Sequence, residues 1–334
     1  MANLVYLSLA SIYGVLVFAS LVIIALKVTK PKKDWSELVS RIKSWWLIIT
    51  VFVVAMLSPD WLRLTIFAFV SFLALKEFLT LISTRVSDAK ALMWLYVTIP
   101  INYYLIGIDW YNLYIIFIPV YAFLFIPMRM VISGNTQGFL HAAASTQWGL
   151  MTTVFAISHV VALMLLPETV AAPSSLIINF SQIPNPMLLQ DASVGTSLKY
   201  QGALLVIYLV ILTELNDVAQ YLWGKSFGKH KIVPKVSPNK TVEGFLGGML
   251  TTAVIASLLG PWFTLMNWWQ AFIAGLFIGV AGFCGDVVMS AVKRDLGVKD
   301  AGKLLAGHGG ILDRLDSLIY TAPLFFHLSK YFFY

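Results

Sequence analysis

One stretch of the C-terminal third combines an acidic residue, a hydroxyl and two basic residues at helical spacing. Asp286 and Ser290 are four residues apart and therefore share a helical face, and Lys293 continues that face three residues later. Asp286 also interrupts an apolar run from Phe272 to Val288, where a carboxylate is costly and usually has a function. We expect Lys293 and its neighbour Arg294 to neutralise phosphate charge beside this carboxylate.

A second pair of carboxylates follows a glycine-rich segment. Asp313 and Asp316 are three residues apart, so we expect them to project from one helix face. Together with Asp286 they would supply oxygen ligands, which suit a hard cation such as Mg²⁺. Within this stretch, His308 and Arg314 each have a second interpretation, as a packing residue and as an ion-pair partner of the aspartates.

An earlier stretch, residues 213–244, joins two carboxylates to a lysine-rich loop. Glu214 and Asp217 share a helix face, and the loop after them adds hydroxyls at Ser237 and Thr241. Lysines, hydroxyls and backbone amides near a helix start are the groups that bind phosphate oxygens. The alternative is a solvated basic loop, and Lys240-Thr241 lacks the preceding glycine pattern of a P-loop.

The rest of the chain must form the scaffold for these groups. Of 334 residues, 59% are hydrophobic and only 12% are charged, whereas soluble domains usually carry about 25% charged residues. Because an apolar run of about 20 residues can cross the bilayer, we predict an all-α, polytopic transmembrane helical bundle. About ten spans are expected, at residues 3–26, 44–58, 61–83, 91–108, 110–128, 147–166, 200–222, 243–264, 268–289 and 312–332.

Charge distribution predicts how these spans are oriented. Most lysines and arginines lie in the connections after every second span, beginning with residues 27–43, so these connections should be cytoplasmic and the N-terminus outside. The loops that carry the candidate active site are then cytoplasmic. The net charge of +7 is explained by topology and anionic lipids, so we expect no nucleic-acid partner. The single Cys284 excludes an internal disulfide and a cysteine-based zinc site.

The halves of the chain differ in character. We predict that residues 1–199 form N-terminal membrane scaffold spans. Residues 200–334 are predicted to form a C-terminal catalytic membrane domain, which contains the polar segments. In the scaffold, Lys76 and Glu77 form an unusual pair in the third span. Glu77 faces the site in one interpretation and forms a helix-packing ion pair in the other.

Two motifs resemble those of a known family. The C-terminal one is Ser290-Ala-Val-Lys293-Arg294, then Lys299-Asp300, then His308-Gly-Gly-Ile-Leu-Asp313-Arg314-Leu-Asp316. It is similar to the signature of phosphatidate cytidylyltransferases, also called CDP-diacylglycerol synthases. The earlier Ser237-Pro-Asn239-Lys240-Thr241-Val-Glu-Gly244 resembles their Ser-Pro-x-Lys-Thr-x-Glu-Gly motif. The resemblance covers about residues 205–320.

The resemblance implies a reaction of CTP with phosphatidate that gives CDP-diacylglycerol and pyrophosphate, with Mg²⁺ and often K⁺ as cations. By position, Asp286 and Asp313 are the implied metal ligands, and the catalytic set adds Asp316, Lys293 and Arg294. The residues expected to bind substrate are Asp217, Ser237, Asn239, Lys240, Thr241, Gly244, Ser290, Asp300, His308, Gly309 and Arg314. The family also suggests a homodimer in the bacterial inner (cell) membrane, surrounded by membrane lipids.

Three departures from the family pattern leave the substrates open. Ala306 stands where proline usually precedes Gly-His-Gly-Gly, Met289 stands where Glu is frequent, and residues 216–221 differ from the common Asp-Thr-Gly-Ala-Tyr. One alternative is a related nucleotidyl or phosphosugar transferase with a different donor or lipid. Another is a membrane transporter, although such a protein should show inverted repeats and polar groups near the bilayer midplane.

Overall fold

The apolar runs fold as helices, because a helix satisfies its own backbone hydrogen bonds where no water is present. The computed structural model describes residues 2–31, 34–82, 85, 88–132, 134–166, 200–302 and 309–334. In these ranges the helices are α1 (Ala2–Thr29), α2 (Ser36–Leu57), α3 (Asp60–Leu81), α4 (Ala89–Gly107), α5 (Tyr111–Val131), α6 (Phe139–Met164), α7 (Gln201–Phe227), α8 (Val242–Phe263), α9 (Trp268–Asp295) and α10 (Leu318–Phe332). A helical turn at Leu312–Leu315 precedes α10, and π-helical turns interrupt α5 and α6 at Phe117–Ala122 and Met151–Phe155.

The all-α, polytopic class is confirmed, whereas the expected number of about ten spans stays a prediction. Eight of the described helices, α1 to α3 and α5 to α9, are long and apolar enough to cross a membrane. The predicted span 91–108 corresponds to α4, in which Lys90, Pro100 and Asn102 lower the hydropathy. The predicted span 312–332 corresponds to the turn Leu312–Leu315 and α10, and Asp316 and Ser317 between them keep helical dihedral angles.

Two helices begin before the spans that hydropathy predicted. Helix α2 begins at Ser36 rather than at residue 44, and α6 begins at Phe139 rather than at residue 147. Both added segments include polar residues that hydropathy alone excluded. Helix α9 continues to Asp295, so Lys293 lies on the same helix as Asp286.

A buried arginine fixes the turn between α2 and α3. Arg63 is only 2% exposed, and its guanidinium donates hydrogen bonds to the carbonyls of Ala55 (3.3 Å) and Met56 (2.9 Å). It also pairs with Asp60 at 3.1 Å. Since the last carbonyls of a helix have no partner within that helix, Arg63 acts as the C-terminal cap of α2.

Small residues let the C-terminal helices approach each other closely. A Cβ added at Gly275 of α9 would lie 2.7 Å from the Cα of Ala253 in α8, and one at Gly248 of α8 would collide with Gln220 of α7. Small residues at helix contacts are typical of membrane bundles, because they permit close backbone packing. This packing brings the ends of α7, α8 and α9 that carry the polar segments together.

Helices of the two predicted parts share apolar contacts. One cluster joins Leu150 of α6 with Leu205 of α7 and Phe325 of α10. A smaller one joins Phe78 of α3, Met289 of α9 and Leu312. These last residues are sequence neighbours of Glu77, Ser290 and Asp313, so this cluster positions side chains of the site. The division at residue 199 and the orientation in the membrane stay predictions.

Candidate active site

The loop between α7 and α8 is folded back on itself. Lys231 and Thr241 form an isolated antiparallel bridge, and the Thr241 hydroxyl caps α8 by accepting a hydrogen bond from the Gly244 amide at 3.1 Å. The carboxylate of Glu243 accepts hydrogen bonds from the backbone amide of Lys229 and from His230. Sequence reasoning missed this role of Glu243, which closes the base of the loop and fixes where Lys240 emerges.

Lys240 reaches across to helix α9. Its Nζ lies 2.5 Å from Oδ2 of Asp286 and donates to Oε1 of Gln220 at 3.1 Å. The ammonium also lies 5.7 Å from the centre of the Phe283 ring. The Ser290 hydroxyl donates to the other oxygen of Asp286 at 3.3 Å. The two polar segments predicted from the sequence therefore meet at one end of the bundle.

A second lysine–aspartate pair lies beside the first. Nζ of Lys293 is 2.8 Å from Oδ1 of Asp313, and the two side chains are 15% and 6% exposed. The other Asp313 oxygen, Oδ2, accepts hydrogen bonds from the backbone amides of Ala301 (2.8 Å) and Gly310 (2.9 Å). Gly309 has a φ of +79°, and a Cβ there would lie 2.5 Å from this same oxygen. Glycine is therefore required at residue 309 by both the backbone and the contact.

Helix α3 contributes a further carboxylate to this turn. The oxygens of Glu77 accept the backbone amides of Ile311 and Leu312, each at 3.0 Å. Glu77 is 9% exposed, whereas its neighbour Lys76 is exposed. The structure thus brings Glu77 to the site segment, as one of the two interpretations expected.

Asp217 of α7 faces the first residues after the Leu312–Leu315 turn. Its Oδ2 accepts the Ser317 hydroxyl at 2.9 Å, while its Oδ1 is buried and has no hydrogen-bond partner among the described residues. Asp217, Asp286 and Asp316 are electrostatic neighbours of one another. Such a grouping of negative charge, with an unpaired buried oxygen, is costly unless a cation or a donor completes it.

The other predicted residues lie around this centre. Arg294 is exposed, and its side chain donates a hydrogen bond to the Val236 carbonyl at 3.4 Å. Ser237 begins a turn, in which its backbone carbonyl accepts a hydrogen bond from the Lys240 amide. The side chains of Asn239, Asp300 and Arg314 are exposed at the rim. His308 lies outside the described residues.

The donor set suits a hard cation in type. Among the residues that the structure describes, no three histidine, cysteine or acidic side chains form a complete metal cage. Mg²⁺, however, usually binds one or two carboxylates and completes its shell with water and phosphate oxygens. The free Oδ1 of Asp217, with Asp286 as its neighbour, fits that partial site. The metal-ligand pair of Asp286 and Asp313 stays a prediction, since lysines neutralise both in this geometry.

Comparison with known proteins gives one family. The profile described as "Cytidylyltransferase family" matches residues 39–332, and this match confirms the resemblance that the two motifs indicated. The chain is 46% identical over 324 residues, 97% of its length and 98% of the relative's, to "Uncharacterized protein YnbB" of Escherichia coli K12.

Two further relatives are named "Phosphatidate cytidylyltransferase". The protein from Staphylococcus epidermidis (strain ATCC 35984) is 38% identical over 144 residues, which are 41% of this chain and 55% of that protein. The one from Staphylococcus aureus (strain COL) is 44% identical over 126 residues, 37% of this chain and 48% of that protein. The chain thus spans about half the length of these two relatives.

Proposed function

The chain belongs to the cytidylyltransferase family, and on that premise we propose that it transfers a cytidylyl group from CTP to phosphatidate. The products would be CDP-diacylglycerol and pyrophosphate, in phospholipid biosynthesis. The observation that carries the proposal is the pair of adjacent contacts Lys240–Asp286 and Lys293–Asp313. These contacts place two lysine ammonium groups, which can bind phosphates, beside two carboxylates, which can bind a metal ion. All four groups lie at one end of an apolar helical bundle.

The reaction is a substitution at phosphorus. A phosphate oxygen of phosphatidate attacks the α-phosphorus of CTP, a new P–O bond forms, and the bond between the α-phosphorus and the β-phosphate oxygen breaks. Pyrophosphate leaves with that oxygen. Because the lipid phosphate is already anionic, no strong general base is needed, and catalysis depends on alignment and charge neutralisation.

The residues of the chain would divide this work. Lys240, Lys293 and Arg294 would neutralise phosphate charge, and the hydroxyls of Ser290 and Ser237 would donate to phosphate oxygens. Mg²⁺, with K⁺ as a second cation, would shield the triphosphate and favour departure of pyrophosphate. Asp286 would hold the cations from the side of α7 and α9, where Asp217 and Asp316 are its electrostatic neighbours. Asp313 would hold them from the glycine-rich turn.

A site at the end of the bundle also suits the two substrates. CTP is soluble and would arrive from the cytosol, whereas the acyl chains of phosphatidate stay between lipids. We place the protein in the bacterial inner membrane with the site on the cytoplasmic side, as the basic loops predict, and we expect a homodimer.

A different donor or lipid is the second candidate. Gln220 lies in the segment that departs from the family's Asp-Thr-Gly-Ala-Tyr, and it contacts Lys240 directly. A departure at this contact would alter the surroundings of a phosphate-binding lysine, and with them the substrate that is accepted.

A nucleotide panel tests the proposal and its alternative. Purified protein in detergent is given phosphatidate and Mg²⁺ with CTP, dCTP, UTP or a nucleotide sugar. The release of pyrophosphate is measured, together with the release of nucleoside monophosphate that a phosphosugar transfer would give. We expect turnover with CTP, and loss of at least about 100-fold in Asp286→Asn, which removes one charge of the electrostatic site. Preference for another donor would favour the alternative. Full activity of the Asp286→Asn protein would show that the site is wrong.

A further inference from the structure

Glu77 is the carboxylate of α3 that the reaction scheme leaves unused. It lies about one turn before the end of that helix, and it is separated by 234 and 235 residues of sequence from the two amides that donate to it. Both of its oxygens are engaged, one by Ile311 and one by Leu312, at 3.0 Å each. A carboxylate this buried is costly, so a specific contact must offset that cost.

Two glycines make room for this carboxylate. A Cβ at Gly302 would lie 2.6 Å from Oε2 of Glu77, and one at Gly310 would overlap Oε1. Neither glycine has a positive φ, so the backbone conformation would accept another residue at both positions. The contact with Glu77 is what requires glycine there.

The amides at the start of the turn are shared between two carboxylates. The Gly310 amide donates to Asp313, and the next two, of Ile311 and Leu312, donate to Glu77. Three successive N–H groups are thus fixed in direction by acceptors on different elements. Glu77 and Asp313 are also electrostatic neighbours, so Glu77 adds negative charge beside the implied cation ligand.

We propose that Glu77 is a positioning residue for the cation–nucleotide site, which holds the Gly310–Leu312 segment so that Asp313 presents its carboxylate to the bound cation. The proposal rests on the proposed function for the identity of the nucleotide. The competing explanation is that Glu77 only stabilises the start of the last helical segment.

Glu77→Gln separates these explanations. A glutamine offers one acceptor oxygen, and its NH₂ group would face the second amide donor. The matched control is Glu37→Gln, because Glu37 is 73% exposed on α2 and pairs with Arg41, one turn away on the same helix. CTP binding is measured without lipid while Mg²⁺ is titrated, and thermal unfolding is followed in parallel.

A positioning role predicts a specific defect in cation use. The half-saturating Mg²⁺ concentration for CTP binding should rise about 10-fold or more in Glu77→Gln, the usual effect of losing an outer-shell partner of a metal ligand. The Glu37→Gln protein should match the wild type. If Glu77→Gln lowers the unfolding temperature but binds CTP at the wild-type Mg²⁺ concentration, the role is structural and the proposal is wrong.

A double-mutant cycle tests the geometry without any ligand. Gly310→Ala should lower the unfolding temperature strongly in the wild type, because its Cβ meets only Glu77 among its nearest atoms. In a Glu77→Ala background the carboxylate is gone, so Gly310→Ala should add little. Equal effects in both backgrounds would refute the contact.

The outcome for the reaction is separate. If the wild type binds Mg²⁺ and CTP, Glu77→Gln weakens that binding, and no CDP-diacylglycerol forms, the proposed function fails and the role of Glu77 stands. If CDP-diacylglycerol forms and the Mg²⁺ requirement of Glu77→Gln equals that of the wild type, the function stands and the role of Glu77 fails.

Discussion

Replacing Lys293 by methionine should damage both stability and activity, and the two effects can be separated. The ammonium of Lys293 lies 2.8 Å from Asp313, and both side chains are largely buried. Removing one member of a buried ion pair costs about 3–5 kcal/mol, because the other charge stays buried without compensation. Here the amides of Ala301 and Gly310 still donate to Asp313, so we expect the lower end, about 3 kcal/mol.

Neutralising both Lys293 and Asp313 should restore thermal stability but not activity. In Lys293→Met/Asp313→Asn no charge is left uncompensated, and replacing a whole buried pair is often close to neutral. The assay is thermal unfolding in detergent, with pyrophosphate release from CTP measured on the same samples. We expect the single variant to unfold about 5–10 °C below the wild type and the double variant to recover most of that loss. Neither should regain turnover.

The control and the refuting results follow from the same scheme. Lys225→Met is the control, since Lys225 is exposed near the end of α7 and contacts the Tyr221 ring. If the double variant regains activity along with stability, the Lys293–Asp313 pair is only structural. If Lys293→Met is as stable as Lys225→Met, the pair is not buried as the structure shows it.

Three further predictions concern other contacts. Ser317→Ala removes the hydroxyl that donates to Asp217, so the Mg²⁺ needed for half-maximal turnover should rise about 10-fold, and an unchanged requirement would exclude Asp217 from cation binding. Arg63→Met leaves the Met56 carbonyl without its donor and should destabilise the protein by about 2–4 kcal/mol with normal Mg²⁺ dependence, as thermal unfolding can check. Gly275→Ala should cost about 1–3 kcal/mol by overpacking α9 against α8, and wild-type unfolding would show that these helices are farther apart.

Much of the fold could be predicted because hydropathy is a local property. Apolar runs predicted the helices, and the spacing of Asp286, Ser290 and Lys293 predicted a shared helix, which α9 confirms. The helices differ from the predicted spans where polar residues continue a helix beyond its apolar run. Helix α2, for example, begins at Ser36, whereas the predicted span begins at residue 44.

The pairing of site residues could not be predicted in the same way. Lys240 meets Asp286 on another helix, and Glu77 meets amides more than 200 residues away. Such contacts depend on how helices pack, which no periodicity records. A partial signal was present for Glu77, because a carboxylate in an apolar helix needs a partner, but the sequence did not say which.

The balance of charge at the site decides how the nucleotide must arrive. Among the described residues, six carboxylates face or adjoin this region, against four basic side chains, those of Lys240, Lys293, Arg294 and Arg314. The carboxylates belong to Glu77, Glu214, Asp217, Asp286, Asp313 and Asp316. A triphosphate would meet net negative charge here, and both lysines are already engaged by aspartates. Because a divalent cation can take over those aspartates, its binding would free the lysines for phosphate. We therefore expect chelation of Mg²⁺ to abolish CTP binding itself and not only turnover, and tight CTP binding in a chelator would contradict this order.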